Sequence, residues 1–209
     1  MTGTVPPQKY GRLHWFWPAE LSPEQRDYYE RLTSGPRDKT ALTDEHGRLK
    51  GAFNARLLDP RLGTAIQEMG AVLRYATPAL TGRQRELAIL EVARHERSGY
   101  EWRAHAAAGR AGGLTGAEIE AVRQGADVPS LAPAEQLART VVRALLADRD
   151  LADELFGRAQ QGLGAVAVFD LISLVGHYQH TALALRVWRV PLDSGEEPFL
   201  DSDGRSAGA

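Results

Sequence analysis

The chain has 209 residues, a formal net charge of -2, 43% hydrophobic and 25% charged residues, which is globular composition and gives no sign of a nucleic-acid partner or an anionic membrane surface. It contains no cysteine, which removes disulfides, thiolate metal sites, a catalytic thiol and dithiol redox chemistry together. The opening residues do not read as a signal peptide and the apolar run around Leu163 to Val175 is interrupted by Asp170 and Ser173, so the default expectation is a cytoplasmic protein with no membrane partner.

Residues 1 to about 50 read as an N-terminal arm. Trp15, Phe16 and Trp17 lie side by side, and adjacent aromatics in an arm imply that it is tied down. Ser22-Pro23-Glu24-Gln25 is a capping box with proline at the first helical position, and it opens a short helix that ends near Ser34-Gly35-Pro36. A glycine-punctuated loop follows, with a small hairpin expected near His46-Gly47.

From Pro60 the apolar residues Leu62, Ala65, Ile66, Met69, Leu73 and Ala76 recur at the spacing of one buried helical stripe. Thr81-Gly82-Arg83-Gln84 is a second capping box and starts a helix carrying Glu86. On that helix Glu86 falls about 40° from Leu90 and about 20° from Ala93, on the packed side, while Glu91 and His95 point to the far side. A buried carboxylate requires a partner, and burial would raise its pKa.

Ser98-Gly99 marks a break before an alanine-rich helix to about Ala111. Thr115-Gly116-Ala117-Glu118 caps a short helix that stops near Gly125. Further helices are expected from about Ala134 to Ala147, Leu151 to Gln161 and Gly164 to Trp188, and the acidic, glycine-rich tail 192–209 is expected to be disordered. No sustained period-two alternation occurs, so the fold class is all-α.

Glu86, Ser98, Glu101 and His105 are the candidate catalytic set. The last three are spaced three and then four apart, so one helix presents them on one face. His105 is the natural general acid–base, Glu101 would orient it, Glu86 could give or take a proton, and Ser98 could hydrogen-bond. Ser98 is equally a helix cap, and His105 could be a core histidine held by Glu101. In the last helix Asp170, Ser173, His177 and His180 form a polar seam that reads first as a solvated face. Trp15, Trp17, Tyr100 and Trp102 could line a flat pocket, although packing is the default for such rings.

The order Glu86, eleven residues, Ser98, two residues, Glu101, three residues, His105 resembles the carboxymuconolactone decarboxylase and alkylhydroperoxidase D-like superfamily. Its peroxidase branch has cysteines at the positions of Ser98 and Glu101; its decarboxylase branch has glutamate at the second, commonly within Tyr-Glu-Trp. Tyr100-Glu101-Trp102 therefore resembles the decarboxylase branch, and Ser98 departs from it. Phe53-Asn54, Pro60-Arg61-Leu62-Gly63 and the segment Leu174 to Tyr178 extend the likeness, placing a helical domain at 51–191.

The resemblance implies a compact helical bundle behind an N-terminal arm, assembling as a homo-oligomer, a trimer or hexamer. It implies a cofactor-independent lyase acting on a small unsaturated carbonyl or lactone acid, with Tyr100, Trp102, Phe53, Asn54, His177 and Tyr178 as candidate substrate-binding residues. A metal held by His177 and His180 with Glu101 and His105 is not expected, because the glutamate and histidine three apart of bundle metal sites are missing. The same groups could serve an isomerase or cyclase, or the chain could be a non-catalytic binding or scaffold protein. A thiol peroxidase is disfavoured because the thiol cycle has no nucleophile here.

Overall fold

The computed structural model describes residues 8–35, 42–192 and 198–199. Residues 1–7, 36–41, 193–197 and 200–209, and with them most of the tail expected to be disordered, lie outside the described residues. The described chain is predominantly α-helical, as its periodicity predicts, and divides into two units: residues 1–69 with 183–193, and residues 70–182 with 194–209.

The first unit begins with a hairpin of two-residue strands, β1 (Lys9–Tyr10) and β2 (Leu13–His14), too short to leave an alternating pattern in the sequence. Helix α1 (Pro23–Thr33) starts at the expected Ser22 capping box. The small hairpin near His46-Gly47 is present as an antiparallel bridge between Thr43 and Leu49. The arm aromatics are tied down within this unit: Trp15 Nε1 donates to the Leu49 carbonyl at 2.8 Å, and the Arg48 guanidinium lies 3.6 Å from the Trp15 ring centroid. Helix α2 (Ala52–Arg56), one short turn and a half, was not anticipated. Its Asn54 is buried; the side chain accepts from the Phe16 N–H at 3.2 Å and donates to the His14 carbonyl at 2.9 Å. Both ends of that amide thus pin the aromatic arm, and Phe53 packs on the cluster around Tyr28, Leu42 and Leu57.

Helix α3 (Pro60–Ala71) runs directly into a π-helical turn, Val72–Ala76. The expected buried stripe is corrected here. Leu73 is buried, but Leu62 and Met69 are 57% and 43% exposed. Apolar periodicity specifies which face of a helix is greasy, and says nothing of what covers it.

The second unit is organised around α4 (Gly82–His95), which packs against α5 (Gly99–Ala111), α6 (Gly116–Gln124) and α7 (Pro133–Asp148), while α8 (Asp153–Leu163) packs on α7. The Thr81 and Thr115 boxes start α4 and α6 as expected, and Gly125 stops α6 in the left-handed conformation at φ 71°. The last helix, α9 (Ala165–Val187), adds Ala167, Val168, Leu171, Leu174 and Tyr178 to the core built on Ile89 and Val92. Leu87, Leu90 and Ala93 face a second cluster with Trp102, Leu114 and Ile119.

Because α4 is surrounded, its far side is not solvent. Glu91, expected to point outward, is fully buried, and only His95 is exposed. Glu91 is paired instead: Arg139 Nε donates to one carboxylate oxygen at 2.6 Å and Arg94 Nε to the other at 3.2 Å. The seam on α9 also divides, with Asp170 and His177 buried, Ser173 half-buried and His180 exposed. Of the tail expected to be disordered, residues 192 and 198–199 are described; Phe199 lies edge-on to Trp102 at 5.3 Å and its carbonyl accepts from Arg97 at 2.6 Å.

Arg83 links the helix starts of this unit, donating to Glu135 at 2.6 Å, to Glu118 at 3.0 Å and to the Gly113 carbonyl. Hydrogen bonding from Arg83 draws the Glu118 carboxyl from 4.5 down to about 2. A depressed carboxyl adds stability above its ordinary pKa and forfeits it as pH falls through the folded value. Unfolding free energy should therefore drop by up to about 3 kcal/mol between neutral pH and about pH 2 through this group. In Glu118→Gln that part of the pH dependence should vanish in denaturant titrations; an unchanged slope would remove the assignment.

Candidate functional site

The candidate site is built from two neighbouring helices of the second unit and the turn that joins them. After α4 the chain reverses at Arg97, which takes the left-handed conformation at φ 51°. Ser98 then caps α5, its hydroxyl accepting from the Glu101 N–H at 3.5 Å. This supports the cap reading of Ser98. Gly109, one turn beyond His105, makes room for Leu114: a Cβ there would stand 2.9 Å from Leu114 Cδ1, and at 3.7 Å it would be in ordinary contact with Glu86 Cβ.

The helices bring Glu86 and His105 together across the interface. His105 Nδ1 and Glu86 Oε2 are 2.7 Å apart, a strong hydrogen bond between side chains that are each at least nine-tenths buried. Glu101 Oε2 lies 3.5 Å from His105 Nε2 on the opposite side of the ring. The imidazole is therefore flanked by two carboxylates. Glu86 rather than Glu101 is the one in direct hydrogen-bonding contact, which reverses the emphasis expected from spacing along α5. A carboxylate on the same helix is a neighbour by periodicity alone, whereas a cross-helix partner depends on packing.

Tyr178 closes the set from α9, its ring standing edge-on to His105 with centroids 5.0 Å apart at 89°. His177 packs edge-on to Tyr178 at 5.3 Å, and Gly70 leaves room for it: a Cβ at Gly70 would stand 2.8 Å from His177 Nε2. Tyr178 is thus beside the imidazole, and His177 one ring further out. Trp102 is spent on the second core cluster and Phe199, while Tyr100 is half-buried at the start of α5. Phe53 and Asn54 belong to the first unit and serve its packing as described above.

One charged residue was missed by the sequence reading. Arg74, in the π-turn, places a guanidinium nitrogen 3.8 Å from Glu86 Oε1, the oxygen that does not hold His105. Nothing in the sequence separates this arginine from the many others, because a π-turn has no reliable sequence signal. The arrangement joins a cation, a carboxylate, an imidazole and a second carboxylate in that order. Such a chain can hold an imidazole in one tautomer and exchange protons with a bound solute.

Among the described residues no single helix is long and apolar enough to cross a membrane. The structure is similar to the crystal structure of an uncharacterized peroxidase-related protein from Silicibacter sp. TM1040, with a TM-score of 0.68 and 15% sequence identity over 90% of this chain and 95% of that one. At that identity the likeness is one of fold. No curated protein matches the chain. Residues 60–144, the stretch that holds Arg74, Glu86, Ser98, Glu101 and His105, match the model of the carboxymuconolactone decarboxylase family, so the likeness to that family covers the site and less than half of the chain.

Proposed function

We propose that the protein is a cofactor-independent lyase that acts by general acid–base catalysis on a small unsaturated carbonyl or lactone acid. The observation that carries this reading is the buried imidazole of His105 between Glu86 and Glu101, at 2.7 and 3.5 Å. Glu86 accepts the Nδ1 proton and fixes the tautomer, so Nε2 is the nitrogen that exchanges protons. In the decarboxylation the bond between the carboxylate carbon and its neighbour breaks, carbon dioxide leaves, and the electron pair is delocalised as a dienolate. Protonation of that dienolate at carbon by the imidazolium of His105 completes the reaction, and a proton taken up from solvent, passed by way of Glu101, restores the Nε2 proton. The thiol cycle of a peroxidase is excluded from this reading by the absence of cysteine.

The test is proton transfer to carbon. A panel of small unsaturated lactone and oxo acids is incubated with the protein in deuterium oxide and followed by NMR. Carbon dioxide release with one deuteron incorporated at carbon is the expected result. Deuterium exchange without loss of carbon dioxide would replace the lyase by an isomerase or cyclase on the same groups. Inertness of the whole panel would favour the scaffold alternative.

The reading includes a homo-oligomer. It is supported by α9, on which Val166, Phe169, Ile172, Leu183 and Val187 are 46–68% exposed at helical spacing. Phe169→Glu should lower the mass measured by light scattering to that of a smaller species. A wild-type chain that is monomeric at micromolar concentration would dispose of the oligomer.

A further inference from the structure

Arg74 differs from the other well-placed arginines of its unit in what it leaves undone. Arg83 and Arg139 both make close hydrogen bonds, the first with Glu118, Glu135 and a carbonyl, the second with Glu91 at 2.6 Å and the Ala126 carbonyl at 2.8 Å. Arg74 has one ion pair among the described residues, at 3.8 Å, beyond hydrogen-bond length. Its guanidinium donors are therefore not consumed by Glu86. The Arg74 side chain is 24% exposed whereas that of Glu86 is 9% exposed, so the cation is the more accessible member of the pair.

The backbone that carries it is firmly held. The π-turn Val72–Ala76 is closed by the Thr77 N–H donating to the Val72 carbonyl at 3.1 Å. The Thr77 hydroxyl is bonded to the buried Asp170 carboxylate, and Arg85 donates to the Thr77 and Leu80 carbonyls at 3.4 and 3.1 Å. Single π-turns inside helices recur where a side chain must be re-aimed at a functional site. Here the side chain that benefits is Arg74, whose guanidinium also lies 5.2 Å from the Tyr75 ring centroid.

The charge of the site supplies the reason for a free guanidinium. An anionic substrate brought beside His105 meets two carboxylates, Glu86 and Glu101, and like charges at such range repel strongly when partly buried. A planar cation with unused donors at the rim of the same cluster offsets that repulsion, and its fork matches a carboxylate in two parallel hydrogen bonds. We propose that Arg74 is the specificity-determining residue of the site: it binds the carboxylate of the substrate and selects carboxylic acids over their neutral analogues. The inference rests on the acid–base reading for the identity of the site, but its test is one of binding alone.

The experiment titrates the intact protein with sorbate, a planar dienoic acid, and with sorbamide, its neutral counterpart of nearly the same shape, by NMR and calorimetry. Sorbate should bind the wild type at least about tenfold more tightly than sorbamide and should perturb the His105 ring resonances. Arg74→Gln should erase that preference with helicity unchanged, and Arg74→Lys, which keeps the charge and loses the fork, should retain part of it. Equal affinity for the two compounds in the wild type, or an undiminished preference in Arg74→Gln, would overturn the proposal. If Arg74→Gln does not fold, the lysine variant decides: full retention of the preference would exclude recognition by the fork. A protein that prefers sorbate through Arg74 yet transfers no proton to carbon keeps the anion site and loses the lyase reading. One that transfers protons with no charge preference does the opposite.

Discussion

His105→Ala is expected to lose roughly 10²–10⁴-fold in turnover of any substrate the wild type converts, the range that a positioned general acid–base supplies. The imidazole stands between both carboxylates, 2.7 Å from Glu86 and 3.5 Å from Glu101. Its removal also leaves Glu86 buried with Arg74 at 3.8 Å as its nearest charge, so some loss of stability is expected as well. His105→Gln, which refills much of the space and keeps a hydrogen bond to Glu86, separates the two effects. It should restore the melting temperature and leave activity low. Equal activity in the glutamine variant would take His105 out of the mechanism. The two carboxylates should not be equivalent. Glu86→Gln should cost more than Glu101→Gln, because the 2.7 Å contact fixes the tautomer and the 3.5 Å contact does not.

The second large effect concerns folding. Arg139→Met strands a carboxylate that is wholly buried, since Glu91 then keeps only the half-buried Arg94 at 3.2 Å. Breaking one side of a buried ion pair costs about 3–5 kcal/mol, a large part of the roughly 5–15 kcal/mol that holds a domain together. The Ala126 carbonyl also loses its donor from Arg139. A fall in melting temperature of roughly 6–20 °C follows for a chain of this size. The double variant Glu91→Leu with Arg139→Met should recover much of the loss, because the pair is removed without leaving a buried charge. A single variant as stable as the wild type would show that Glu91 protonates at little cost.

These two residues sit on the same helix face logic from opposite ends. Glu86 was expected to be buried from its angle to Leu90 and Ala93, and it is; Glu91 was expected to face away from the core, and it is buried too. The helical angle was correct in both cases. What one helix cannot reveal is how many neighbours surround it, and α4 has α5, α6 and α7 against it. The same limit applies to α3, whose apolar stripe was legible while the exposure of Leu62 and Met69 was not.

Local signals carried the helix starts. The boxes at Ser22, Thr81 and Thr115, the cap at Ser98 and the stop at Gly125 all lie where the residue types place them, because capping is a contact between residues three apart and is written within one turn. The order of Glu86, Ser98, Glu101 and His105 was likewise readable, since spacing on α5 and the family resemblance both act on sequence distance alone. The described chain is all-helical apart from the two-residue strands of the arm hairpin and one isolated bridge, elements too short to print a period.

The sequence by itself determined the helical class, the main helix boundaries and a His-centred set of polar groups, because each of these depends on contacts within a few residues. The tertiary structure alone decided which carboxylate holds the imidazole, that Glu91 needs Arg139, that Phe199 docks on Trp102, and that Arg74 stands beside Glu86. Each of those pairs is separated by many residues along the chain and is brought together only by the packing of one helix on another. Close approach contributes to that packing at Gly70, where a Cβ would stand 2.8 Å from His177 Nε2 and the absence of a side chain, rather than its presence, makes the room.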